Sequence, residues 1–211
     1  MNTIKMIWAV LLWAVKVPVL FLLDIFTWIF SPVICLFVTH AEESSITGFP
    51  SIFPGKPREF LINPLYKFQS FDAPLDEWWY SNDYGQGSWI KLNYTQADYD
   101  STWWIRYVCR IMWLCRNPAY GFGHALGYDL TDPVYLVTRD NLHLWNSGQT
   151  HSSYWKVVNS RGQIGWWFKA QYVFYKKRYL EVNFGYKLDA DSPDNLKVVA
   201  IQFTPFKQNI K

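Results

Sequence analysis

Hydrophobic positions are spread unevenly along this chain. They form one dense block from Met6 to Val38, an irregular middle, a helical stretch near residue 110, and a long tail in which they alternate. The block reads MIWAVLLWAVKVPVLFLLDIFTWIFSPVICLFV, and its only charges are Lys16 and Asp24. About 20 apolar residues cross a bilayer as a helix, so a run this long predicts a membrane anchor over 1–40. Two arrangements stay open. One is a single span over about 17–38, with Lys5 and Lys16 on the side that basic residues favour, the cytoplasm. The other is a kinked pair of shorter helices broken near Pro18 and Asp24, because proline removes an amide donor and clashes with the preceding turn. A cleaved secretory signal ending near Thr39-His40-Ala41 fits poorly, since its apolar core would run far past the usual length and carry both charges. Asp24 at mid-bilayer costs about 2.5–3.5 kcal/mol on insertion scales, which predicts a bend near the headgroups.

The block stops at Glu42-Glu43. Over 41–97 the chain carries Pro50, Pro54, Pro57, Pro64 and Pro74 with Gly48 and Gly55, which predicts an extended tether without long helices or central strands. Phe49, Ile52, Phe53, Phe60, Leu61 and Tyr66 require that it pack on the domain or on the membrane. Its end, FDAPLDEWWY, sets Asp72, Asp76 and Glu77 beside three aromatic rings. Paired carboxylates with aromatics occur in sugar-cleaving sites, but spacing does not make them face each other, and a turn with solvated acids explains them equally.

The α+β domain predicted over 98–211 opens with a helix over 102–116. Asp100 or Ser101 caps it, and Asn117-Pro118 stops it, because a residue before proline avoids helical angles. Arg106 and Arg110 stand four apart, Arg116 one face round, and Trp103, Trp104 and Trp113 with aliphatic residues fill most of the rest. An apolar helix with an arginine stripe either lies in a membrane interface or is sandwiched in the fold, its arginines paired with Asp72, Asp76 or Glu77. The first reading makes Trp103, Trp104, Arg106, Arg110, Trp113 and Arg116 a membrane or partner contact, with arginine meeting lipid phosphate. Cys109 and Cys115, about 9 Å apart along such a helix, do not form a disulfide and pack as small hydrophobes.

From about 133 to 206 the period becomes two, an antiparallel meander of four to six strands. Tyr135–Thr138 and Leu142–Trp145 flank a short turn, as do Tyr154–Val158 and Ile164–Tyr175. Leu180, Val182, Phe184, Tyr186 and Leu188 alternate with Glu181, Asn183 and Lys187, the pattern of a half-buried strand, and Val198–Thr204 returns before Pro205. An outer-membrane barrel needs at least eight such strands and is excluded. Lys169, Lys176, Lys177 and Arg178 sit among Tyr172 and neighbouring aromatics as a possible basic-aromatic surface, for anionic headgroups, for nucleic acid, or simply solvated.

Composition adds little beyond this. A fifth of the residues are aromatic, with 13 Trp and 14 Tyr, which suits both membrane interfaces and a β core. A net charge of +3 does not imply nucleic acid. No phosphate loop, nucleophile elbow, dinucleotide fingerprint or metal-ligand spacing is readable, so neither cofactor nor metal is expected. His124 with Asp129 could serve a serine brought near by folding, but the pair carries no motif.

The run W-x-x-R-Y-x-x-R-x-x-W-L-x-R-N-x-x-Y-G-F, here Trp103 to Phe122, resembles a signature of small uncharacterised membrane-associated proteins of tailed bacteriophages. The ending R-Y-L-x-V-x-F-G-Y-K-L (Arg178–Leu188), followed by F-T-P-F-K, is similar to theirs, although Tyr186 stands where many of them have Trp. The resemblance implies a context rather than a chemistry: a non-enzymatic accessory protein anchored in the host inner membrane. Its partners would be lipids and a host membrane protein or other phage proteins, in superinfection exclusion, defence evasion or lysis control. A virion component and a lipid- or glycan-processing enzyme are the alternatives.

Overall fold

In a computed structural model the chain is described over residues 2–48, 50–51, 54–69, 74–76, 93–127, 134–138, 151–159, 164–175, 178–187 and 198–208. The fold is α+β, with one long apolar helix, shorter helices and two antiparallel sheets. Two compact units divide the chain at points that sequence pattern does not mark: residues 1–21 with 123–211, and residues 22–122.

The apolar block is one helix, α1 (Asn2–Ile34). It is continuous through Pro18 and Asp24, so the kinked pair does not form, and the helix begins well before residue 17. At 1.5 Å per residue it is about 50 Å long.

In the unit of residues 22–122, α1 is followed by β1 (Val38–Ala41), α2 (Glu43–Thr47), β2 (Arg58–Leu61) and a 3₁₀ turn (Leu65–Phe68). The segment read as an extended tether therefore supplies an interior strand. β2 pairs antiparallel with β1, Val38 opposite Leu61 and His40 opposite Glu59, and all four of its residues are buried. Next come α3 (Gln96–Ser101), α4 (Trp103–Arg116) and the start of α5 (Tyr120–Leu126). The cap expected at Asp100 or Ser101 lies upstream instead. Thr95 Oγ1 accepts from the Asp98 amide while Asp98 accepts from the Thr95 amide, a capping box that starts α3. α4 then follows from Thr102 with no side-chain cap and ends at Asn117 as its proline predicts. Ile34, Cys35, Leu61, Leu75, Trp113 and Leu114 form the core of this unit. Gly121 donates to the Gln69 carbonyl at 2.9 Å, and a Cβ there would meet the Lys67 and Gln69 carbonyl oxygens at 2.8 and 2.9 Å. The Y-G-F run needs its glycine for that approach.

In the other unit a five-stranded meander runs in the order β3 (Val134–Thr138), β4 (His151–Asn159), β5 (Ile164–Tyr175), β6 (Arg178–Lys187) and β7 (Val198–Gln208). β3 pairs with β4, and 142–145 lie outside the described residues. β7 runs through Pro205 to Gln208 instead of stopping before it. Pro205 falls in a register shift, where Tyr179 faces Lys207 but Glu181 faces Thr204, and β7 is an edge strand. A bulged edge is where a strand tolerates a residue with no amide donor.

Candidate functional site

α1 buries apolar residues in one unit and mainly polar ones in the other, and the side chains it leaves exposed are mostly apolar. In the sheet unit, Ala9, Val17 and Leu20 are buried, and Trp13 and Lys16 are half-buried beside them. Trp13 packs edge-on against Trp166 at 5.0 Å and against Phe184 at 6.5 Å. The Tyr186 hydroxyl reaches the Ala9 carbonyl at 3.5 Å, and Lys16 Nζ donates to the Leu126 carbonyl at 2.5 Å, at the end of α5. Further along α1, in the second unit, the buried positions are Asp24, Thr27, Ser31 and Ile34. Thr27 donates to the Leu23 carbonyl, Ser31 Oγ lies 3.2 Å from Cys115 Sγ, and Trp28 Nε1 donates to the Cys115 carbonyl. The 3- and 4-residue spacing of these positions makes one stripe on the helix.

The remainder of α1 is open. Fifteen large apolar side chains, from Ile4 at 75% to Leu12 at 38%, are exposed on it. Half-exposed side chains of this size sum to on the order of 1,000 Å² of apolar surface, well above the few hundred Å² of an ordinary monomer's largest patch. α1 is long and apolar enough to cross a membrane, and 17% of its most apolar window is buried.

α4 divides the six contact residues predicted from sequence. Trp103 and Trp104 face outward at 54% and 42% exposure, Trp103 stacked on Tyr107 at 4.9 Å and Trp104 edge-on to Tyr94 at 5.3 Å. Trp113 is buried in the core, and Arg116 is half-buried at the end of the helix. Arg110 is buried as well, which removes it from any contact surface. Its Nε and a terminal nitrogen donate to the two oxygens of Glu59 at 2.7 and 2.5 Å. Arg106 lies 3.4 Å from the same carboxylate and donates to the Tyr99 and Asp100 carbonyls, while His40 approaches Glu59 at 3.3 Å. Burial works against the Arg110 charge, but the hydrogen bonds and charge of Glu59 outweigh it and raise its pKa. The sandwiched arrangement therefore holds for Arg106 and Arg110, whose partner is Glu59 and not Asp76.

Asp76 pairs instead with Arg58, at 2.9 Å, and both are buried. Burial pushes the Asp76 carboxyl up to about 6, and the nearby Arg58 guanidinium only partly offsets it. Asp72 and Glu77 lie outside the described residues, as does Asp129; His124 is buried in α5. Among the described residues no three metal-binding side chains converge.

Of the basic-aromatic residues, the two whose side chains are described do not share a face. Lys169 and Tyr172 are three apart on β5, within a stretch of unbroken register with β6, and so sit on opposite sides of the sheet. Lys176 and Lys177 lie outside the described residues, and only the backbone of Arg178 is described, opposite Gln208. Lys169 is turned to Glu181 at 3.5 Å. Around that carboxylate is a buried polar cluster that sequence pattern hid: Gln171 Nε2 and Asn183 Nδ2 donate to Glu181, and Trp167 Nε1 donates to Asn183. Glu59 was equally hidden, in a four-residue strand between two prolines. Its only signal was REFL, a run of strand-forming length with two apolar residues.

The chain belongs to a family of unknown function (DUF7338), which matches residues 5–211 and so takes in nearly all of α1 together with both sheets. No curated protein and no solved structure matches it.

Proposed function

We propose that this DUF7338 family member is a membrane-attached, non-enzymatic protein that acts by contact at a bacterial envelope. The polarity of α1 carries this reading: Lys16, Asp24, Thr27 and Ser31 are turned to protein, while Ile4, Leu11, Val15, Leu22 and Ile29 are turned outward. A helix in water does the reverse. In lipid the arrangement is favourable, because apolar side chains then face hydrocarbon and the polar ones are enclosed. Exposed Trp8, Trp28, Trp103 and Trp104 suit the headgroup boundary, where an apolar ring and a polar N–H are both accommodated.

The narrower reading is an accessory protein of a bacteriophage, acting on host membrane proteins. It is supported by the resemblance of the Trp103–Phe122 and Arg178–Leu188 stretches to phage membrane proteins. Expression of the intact chain in a bacterial host tests both levels. The protein is expected in the membrane fraction after a high-salt wash, and its expression is expected to reduce plating by a challenging phage. Recovery in the salt wash overturns the membrane reading, and unchanged plating by every challenging phage overturns the superinfection role.

A further inference from the structure

We infer that the lipid-facing surface does not stop with α1: the last turn of α1, the chain as far as Phe37, Ile62 after β2 and the start of α4 lie together among the acyl chains, below the headgroups. The inference rests on the membrane reading above and lies wholly within the unit of residues 22–122.

Two observations carry it. The first is the way the helix ends. The last four carbonyls of an α-helix have no partner inside it, and at an exposed end water can serve them. Here protein serves all four. The Ser31 carbonyl accepts from the Cys35 amide at 2.9 Å. Those of Val33 and Ile34 accept from the Leu36 and Phe37 amides at 3.1 Å, in the tighter three-residue pattern. That tightening leaves the Pro32 carbonyl to the Tyr107 hydroxyl, which donates to it at 2.7 Å although Pro32 is exposed.

The same economy extends to either side. Pro32 has no amide with which to reach the Trp28 carbonyl one turn back, and Ser31 Oγ donates there instead at 3.3 Å. Past the helix, the Phe37 carbonyl accepts from the Ile62 amide at 3.1 Å. Backbone groups in hydrocarbon must be satisfied by protein in this way, whereas at a wet helix end water would do.

The second observation is what surrounds these carbonyls. Val33, Leu36 and Phe37 are 54%, 56% and 47% exposed there. The hydrogen bonds just described join two further elements to them. Exposed Ile62 is held against Phe37, and Tyr107, whose hydroxyl reaches Pro32, carries exposed Trp103 stacked on its ring. The apolar patch therefore passes over the helix end onto neighbouring elements, and it continues the outward line of Leu22, Ile29 and Val33, spaced by seven and by four. Lipid is favoured over a second protein chain as occupant. Protein interfaces carry about one hydrogen bond per 100–200 Å², and the carbonyls that could make them here are already engaged.

Leu22→Cys, Leu36→Cys and Ser45→Cys, each in the full chain and labelled with a polarity-sensitive fluorophore, test this in phosphatidylethanolamine–phosphatidylglycerol vesicles carrying acyl-chain spin labels. Cys35 and Cys109 are buried and Cys115 is half-buried, so the parent protein serves as the labelling blank. The expected result is blue-shifted emission and strong quenching at Leu36, matching Leu22, with neither at exposed Ser45. Quenching at Leu22 with water-like emission at Leu36 overturns the inference and leaves membrane attachment standing. A blue shift at Leu36 without quenching, accompanied by disulfide cross-linking of the unlabelled Leu36→Cys chain to a second copy, overturns it in favour of a protein occupant. No quenching at Leu22 or Leu36 overturns attachment itself. Tyr107→Phe gives a second readout, since it keeps the ring under Trp103 and removes only the donor to Pro32. It should weaken partition onto vesicles about tenfold, because an unsatisfied carbonyl must then enter hydrocarbon. Partition equal to wild type, as expected if water replaces the hydroxyl, overturns the inference.

Discussion

Removing the charge of Glu59 should be among the most damaging single changes in the unit of residues 22–122. Its carboxylate is buried and holds the buried Arg110 through two hydrogen bonds of 2.7 and 2.5 Å, with Arg106 and His40 at 3.4 and 3.3 Å. Glu59→Gln keeps the shape, loses one acceptor and leaves a guanidinium enclosed without its counter-charge. Breaking a buried pair this way costs about 3–5 kcal/mol, a large fraction of the total stability of an ordinary domain, about 5–15 kcal/mol. Arg106→Gln should cost much less, about 0.5–1 kcal/mol, because that side chain is a quarter exposed and its ion pair is longer. The double change Glu59→Leu with Arg110→Leu removes both charges and should recover a large part of the single-variant loss. Urea unfolding in detergent micelles, followed by tryptophan fluorescence and checked by proteolysis, gives each term of the cycle. A Glu59→Gln cost below about 1 kcal/mol, or a double variant no more stable than the single one, would refute the claim that this pair is a coupled, desolvated unit.

Gly185→Ala should disrupt the sheet. Gly185 has φ of +100°, and a Cβ there would lie 2.2 Å from the Trp166 carbonyl oxygen, so loss of the cooperative thermal transition is expected by circular dichroism. Asp76 predicts a pH effect with a definite sign. Its folded value of about 6 lies above the 3.8 of the free carboxyl, so its contribution is fully present below the lower value and is lost as pH rises through the upper one. The difference in stability between wild type and Asp76→Asn should therefore shift against wild type between about pH 3 and about pH 8; a flat difference would contradict it. Trp103→Ala with Trp104→Ala should lower partition onto vesicles several-fold, whereas Lys169→Ala, whose amine is turned to Glu181, should leave partition unchanged.

The parts of this fold that sequence made legible are those where one force dominates. The length of α1, the stop at Asn117-Pro118 and the β4–β5 and β5–β6 pairings follow from apolar content, proline geometry and period-two alternation. The stripe on α1 was also within reach, since Lys16, Asp24, Thr27 and Ser31 share one side of a 3.6-residue helix, but Asp24 alone suggested a bend. Legibility failed where polar groups are buried in pairs. Glu181 and Asn183 read as the polar side of a half-buried strand, and Arg58, Glu59 and Gln171 drew no reading, because nothing local in the sequence shows which distant partner satisfies a charge or an amide. Of the candidate contact residues, Trp103 and Trp104 remain outward. Arg110 was misplaced for that same reason: its partner lies 51 positions away.

The account depends most on the outward face of α1 meeting lipid, and flotation with phosphatidylethanolamine–phosphatidylglycerol vesicles at high salt tests it directly. The intact protein should rise with the vesicles, and Leu11→Lys with Leu22→Lys and Ile29→Lys should stay at the bottom while keeping the near-ultraviolet spectrum of a folded chain. Wild-type protein that remains at the bottom, monodisperse in plain buffer, or a lysine variant that floats as well as wild type, would contradict it.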